Sequence, residues 1–291
     1  MLELIGVIVA LLGVAYSSYT DLKTGEVSDK LSHSMIGVGA ILVAFTYPFW
    51  QAVTIMGIGV LVFILGFILY IFGQMGGGDV KLFTALALLI PYYPESLRPI
   101  SEALGITPVS SNFPFIASVF VLSGIFFMLF IPPIYLRKLY SKRKKVKEFG
   151  KKILTGIVYC LILSPIVYIW LGISKLIAVL FIPMFFALLI VPFKDDVVVL
   201  FFSRKKRVSD LNDDDVLALE SMSRKTIAKL GLWRKTFTPP ELRKIKARAN
   251  KYKIRMVMVC EDLPKYVPYI FASLVINLLV GDIFIYLLTL S

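Results

Sequence analysis

The chain has 291 residues, 58% of them apolar and 18% charged, with a mean hydropathy of +0.81. Soluble domains carry about 25% charged and about 45–50% apolar residues, so composition excludes a soluble enzyme, a disordered tail and a secreted disulfide scaffold. The net charge of +13 would suggest nucleic acid in a soluble protein, but here the placement of the charge decides its meaning. Cys160 and Cys260 form no CxxC pair, which rules out a disulfide framework and a four-cysteine zinc site.

A helix needs about 20 apolar residues to cross a bilayer. Segments 2–19, 32–50, 52–73, 80–94, 113–136, 153–171, 174–193 and 266–290 meet or approach that length. The expected fold is an all-α polytopic membrane protein of about 6–8 transmembrane helices, with a small α+β cytosolic domain inserted before the last helix. Segment 80–94 is short and contains Pro91, so it is expected to border a wet cavity. Segments 153–171 and 174–193 are separated by Gly172-Ile173 and read as a tight additional hairpin. The first span lacks a basic n-region and a small-residue cleavage site, and is expected to be retained.

Orientation follows from Lys and Arg. With the N-terminus outside, the inside segments 20–31, 74–79, 137–152 and 194–265 hold 29 of the 32 Lys and Arg residues. The exceptions are Lys81, Arg98 and Lys175. This skew obeys the positive-inside rule. The expected division is a core at 1–136, a basic cytosolic loop at 137–152, the hairpin at 153–193, a cytosolic domain at 194–265 and a final helix at 266–291.

Within 194–265, Asn212-Asp213-Asp214-Asp215 is expected to open a helix running to a C-cap at Gly231. Thr238-Pro239-Pro240-Glu241 reads as a capping box with proline in the first turn. Residues 252–260 alternate as a strand, with Ile254, Met256, Met258 and Cys260 on one side and the two methionines as ordinary core.

Acids at membrane boundaries are costly and therefore informative. Asp21 follows the first span and Asp79 lies between the third and fourth, so this topology puts both in one cytosolic layer. Gly76-Gly77-Gly78 precede Asp79, and are expected to take φ > 0 and leave room for an approaching backbone. The positive end of the fourth helix favours a carboxylate at Asp79. Two close carboxylates cannot both ionise easily. The ionised one activates water, the protonated one polarises a carbonyl, and no metal or cofactor is required.

These residues carry a resemblance. Asp21 in YSSYTDLKTGEV and Gly76–Asp79 in QMGGGDVKL resemble the GxGD membrane aspartic peptidases, most closely the archaeal preflagellin and type IV prepilin peptidases. The likeness covers the first 95 residues, and the opening of the last span, Leu263 to Tyr269, is also similar. It implies that Asp21 and Asp79 are the catalytic pair and that the partners are archaellin or pilin precursors with short basic leaders. The four-cysteine module of many bacterial relatives is absent, so methyl transfer is not expected.

Other polar residues have plainer readings. Glu26 and Asp29 are candidate contacts for a basic leader, although solvated loop acids are the commoner case. Lys81 either tunes the charge of Asp79 or snorkels to the interface. Asp282 is expected to be an interfacial acid near the outer surface, and His33 to have no partner. The run Arg137–Lys152 fits anionic lipids at the cytosolic face better than nucleic acid. Two rival functions remain. A presenilin-like intramembrane protease would place its first acid mid-span after a tyrosine, whereas Thr20 precedes Asp21. A small-solute transporter would break a helix at Gly76–Gly78, but would show symmetry between halves.

Overall fold

The computed structural model describes residues 2–71, 74–111, 113–171, 175–212, 215–261, 264–283 and 285, without the side chains of 166–171 and 175–180. The fold is mostly helical. Helices α1 (Leu2–Thr24), α2 (Asp29–Thr46) and α3 (Phe49–Ile71) precede α4 (Gly77–Leu89). The short α5 (Arg98–Ala103) leads to α6 (Phe115–Ser141), which holds Pro132 and Pro133 in its interior. Among the described residues, α1, α3 and α6 are long and apolar enough to cross a membrane.

α4 lies at the centre. Val80 and every residue from Leu82 to Leu89 are buried, and α1, α2, α3 and α6 all pack on it. A helix apolar on all sides belongs in a protein interior. Small residues bring its neighbours close, since a Cβ at Gly39 would stand 2.8 Å from Leu88 Cβ. α4 stops at Leu89 because Ile90 precedes Pro91, and a residue before proline avoids helical backbone. At 13 residues it is shorter than the 80–94 span expected, and α1, α2, α3 and α6 pack around it. Its C-terminal end lines a cavity of about 580 Å³, with Glu3, Tyr47 and Tyr92 among the walls.

Helices α7 (Phe149–Leu171) and α8 (Lys175–Ile190) pack on each other, and α8 packs on α6. The expected turn at Gly172-Ile173 lies outside the described residues. The basic run after α6 is partly engaged. The Lys138 ammonium sits 4.7 Å from the centre of the Tyr135 ring, and Lys152 pairs with Asp196.

After the one-turn α9 (Lys194–Val197), a small α+β unit forms. Strands β1 (Ser203–Arg207), β2 (Val216–Leu217) and β3 (Met256–Cys260) make an antiparallel sheet in the order β1-β3-β2. Helices α10 (Arg224–Leu230) and α11 (Pro239–Lys251) supply residues to its core. The helix expected from Asn212 does not form. Asp215 is drawn away by Lys206, whose Nζ donates to it at 2.7 Å, and Val216–Leu217 pair with β3 instead. α10 starts only after its cap Ser223, while Gly231 ends it with φ of 65°, as expected. Asp213 and Asp214 lie outside the described residues.

The strand at 256–260 forms with the opposite face inward. Val257 and Val259 are buried, whereas Met256 is exposed. The core of α10 and α11 covers the valine face, so the methionines are not ordinary core. The Glu241 carboxylate accepts the Thr238 amide at 2.8 Å, as the capping-box reading expects. The last helix, α12 (Val267–Val280), packs on α1 and α6.

Candidate functional site

Asp21 belongs to the last turn of α1, where it is 7% exposed. Asp79 is half-buried in the first turn of α4. The two elements run in opposite senses, so the end of one meets the start of the other. Each carboxylate lies within electrostatic reach of its counterpart. The large cavity is at the other end of both helices and takes no part in this arrangement.

Asp79 is held by its own helix. Its Oδ2 accepts the Gly76 amide at 3.3 Å, a donor that no helical carbonyl uses. The helix dipole adds to this hold. The three glycines do not take the expected positive φ. Gly76 caps α4 with φ of −74°, and Gly77 and Gly78 are its first residues. Their use is close approach. A Cβ at Gly78 would lie 2.8 Å from Val27 Cβ, in the segment joining α1 to α2. The glycine run lets that segment rest against the head of α4.

Asp21 is held from the far end of the sequence. The Val267 amide donates to Asp21 Oδ2 at 3.2 Å, and the Tyr266 amide also serves this carboxylate. Lys265 contributes a positive charge within reach of Asp21, and its Nζ occupies the space beside Gly25. Tyr266 stands between the rings of Phe83, at 6.2 Å, and Phe127, at 5.2 Å. Its hydroxyl is within electrostatic reach of Asp79. One turn before Asp21, the Ser17 hydroxyl is fully buried and has no hydrogen-bond partner among the described residues.

Other expected residues fall elsewhere. Lys81 does not turn to Asp79; its Nζ pairs with Asp29 at 2.6 Å, joining α4 to α2. Glu26 is exposed in the α1–α2 segment. His33 has a partner after all, with Nδ1 2.6 Å from the Asp29 carbonyl oxygen. Asp282 is buried within the protein. It is 1% exposed, and Ser111 Oγ donates to its Oδ2 at 2.7 Å, which ties the loop before α6 to the end of α12. Sequence reading had missed Lys265, Tyr266, Val267 and Ser17 as neighbours of the acids. The polar Lys265-Tyr266 at the mouth of an apolar span was the available signal.

Fold and site together define a helical membrane protein that gathers two acids from separate helices at one end of its bundle. Residues 8–132, which hold both acids, match the type IV leader peptidase family. The motif resemblance and this match agree. Over 156 residues the chain is 32% identical to prepilin peptidase EppA of Methanothermobacter thermautotrophicus, covering 51% of this chain and 39% of that protein. It is 28% identical over 155 residues to a preflagellin peptidase of Methanococcus maripaludis, covering 49% and 63%. A preflagellin peptidase of Methanocaldococcus jannaschii is 32% identical over 153 residues, covering 50% and 63%. The chain thus spans less than two thirds of the length of these relatives. No solved structure matches it.

Proposed function

We propose that this chain is a membrane aspartic endopeptidase that removes short basic leader peptides from archaellin-like or type IV pilin-like precursors on the cytosolic side. One observation carries the reading: Asp21 and Asp79 come from different helices and meet at one end of the bundle, neither neutralised by a direct ion pair among the described residues. An acid pair of this kind suits general acid–base attack of water on a peptide bond. The names of the archaeal relatives point the same way.

The reading takes six to eight spans with the N-terminus outside, 1–136 as peptidase core and 194–265 as a cytosolic domain. The basic run 137–152 then lies against anionic lipid headgroups. Glu26 is free to meet a basic leader, whereas Asp29 would first have to release Lys81.

The test uses Asp21→Asn and Asp79→Asn in membranes or detergent, with a precursor as substrate. Each substitution keeps side-chain size and removes the ionisable group. Each is expected to lower cleavage by about 10²–10⁴-fold, the usual contribution of an acid–base partner, while the protein stays folded and inserted. Near-normal cleavage by either variant overturns the reading.

A further inference from the structure

Helix α12 is registered against α6 by two hydroxyl contacts. Ser273 Oγ donates to the Val119 carbonyl oxygen at 2.7 Å, and the Tyr266 hydroxyl lies 2.9 Å from Ser123 Oγ. Ser123 and Ser273 are both fully buried. Val119 and Ser123 stand one turn apart on α6, and Tyr266 and Ser273 two turns apart on α12, so one face of each helix makes both contacts. The later α12 residue meets the earlier α6 residue, which makes the two helices antiparallel.

The two contacts act at different places. Ser273 lies in the middle of α12 and ties down its body. Tyr266 is the N-cap residue of α12, with its ring 6.2 Å from that of Phe83 and 5.2 Å from that of Phe127. Ser123 donates to the Phe120 carbonyl oxygen at 2.9 Å, which leaves the Ser123 oxygen to accept from the phenol. A side chain held in this way fixes where the first turn of α12 begins. The next residue is Val267, whose amide donates to Asp21 Oδ2 at 3.2 Å. First-turn amides have no helical partner, so the orientation of the turn decides what this one meets. The start of α12 is thus pinned to α6 on one side and to α1 on the other.

We infer that Ser123 and Tyr266 are positioning residues for Asp21. The Ser123–Tyr266 contact sets the start of α12, and the start of α12 aims the Val267 amide at the Asp21 carboxylate. The inference rests on the peptidase reading above for the use made of Asp21, whereas the linkage itself can be measured without substrate. A carboxylate held by an aimed amide is already oriented for proton transfer, and one that is free to turn must first be oriented. Loss of the aim therefore slows the chemical step more than it weakens binding of a precursor.

The experiment follows the Val267 amide by hydrogen exchange in the whole chain in detergent, beside kcat and KM for a precursor. Pro268 has no N–H, so the Val267 amide is read apart from the residue after it. Tyr266→Phe keeps the ring and removes the hydroxyl. It is expected to speed exchange at Val267 about tenfold, the scale of one hydrogen bond. It should also lower kcat about tenfold with KM little changed, the pattern of an interaction made in the transition state. Exchange at Leu274, in the body of α12, should stay as it was. Ser123→Ala should act like Tyr266→Phe, and the double variant should do no more than either, because both residues act through one contact. Ser273→Ala is the contrast: it should speed exchange at Leu274 and leave Val267 exchange and kcat close to the unaltered values. Unchanged exchange at Val267 in Tyr266→Phe overturns the inference, as does equal loosening of Val267 and Leu274. Additive effects of Ser123 and Tyr266, an unchanged kcat, or an equal loss of kcat in Ser273→Ala would overturn it too. If Asp21→Asn and Asp79→Asn both cleave normally, the peptidase reading falls, and exchange at Val267 still decides whether Tyr266 aims the amide.

Discussion

The amide of Val267 donates to the carboxylate of Asp21 at 3.2 Å across 246 positions of sequence. The first turn of a helix has amide groups without helical partners, and α12 offers one of them to an acid on α1. The far end of the chain thereby becomes part of the surroundings of a residue in its first helix.

The glycines before Asp79 should differ in tolerance. At Gly77 an added methyl meets Tyr70 at 3.5 Å, an ordinary contact, whereas at Gly78 it meets Val27 Cβ at 2.8 Å. Gly77→Ala is expected to leave cleavage and melting temperature close to the unaltered values. Gly78→Ala is expected to destabilise by about 1–3 kcal/mol, the usual cost of overpacking, and to lower cleavage by shifting the head of α4. Thermal melts and cleavage rates of the two variants check this, and equal tolerance would contradict it.

Sidedness can be read with reporters. Fusions after residue 145 or within 200–260 are expected to report cytosol, and a fusion near 100–108 the exterior. The placement of 29 of the 32 Lys and Arg residues motivates the expectation. An exterior signal from 200–260 would put both acids on the wrong face.

The start of α11 should respond to acid. The Thr238 amide, ahead of the Thr238 hydroxyl and the Arg234 guanidinium, holds the Glu241 carboxyl below its ordinary range. A carboxyl lowered by folding stabilises the fold above its unfolded value, and that contribution disappears as pH falls through the lowered one. Protection of the α11 amides against hydrogen exchange should therefore fall on acidification below the ordinary glutamate range. Glu241→Gln should cost about 1 kcal/mol at neutral pH, the scale of one hydrogen bond, and flatten that response. An unchanged acid response in the variant would point to other groups.

The position of the cut should follow from the position of the acids. Both sit at one end of the bundle, so the scissile bond must lie at that depth. Unwinding an apolar helix inside lipid strands its amide and carbonyl groups, and cleavage is therefore expected just before the apolar segment, at a small residue. A bulky β-branched residue there should lower cleavage strongly. Moving the site several residues into the segment should abolish it, as mass spectrometry of products would show. Efficient mid-span cutting would favour the presenilin-like alternative.

Asp21 and Asp79 could be singled out because ionisable side chains stand out against apolar runs, and each stands at a helix end. The capping box at Thr238 and the stop at Gly231 were legible for the same reason. What depended on distant chain was not. Asp215 looked like the start of a helix until Lys206 claimed it. Residues 256–260 are apolar on both alternating faces, so pattern could not say whether Met256 or Val257 turns inward until α10 and α11 had chosen. Asp282 looked like a surface acid because Ser111, its donor, is far away in sequence. The contact of Tyr266 was not legible because its partner, Ser123 of α6, lies 143 positions away.

Synthesis adds a schedule to the Val267–Asp21 bond. At ordinary elongation rates of about 5–20 residues per second, Asp21 waits on the order of 10–50 s before the 246 residues that separate it from its amide donor have been made. Throughout that interval the amides of Tyr266 and Val267 that serve Asp21 do not yet exist. A nascent chain accordingly carries Asp21 without its amide donor until its last helix has docked. Truncation just before Lys265 would then produce a protein that keeps both acids and lacks the amide that holds Asp21.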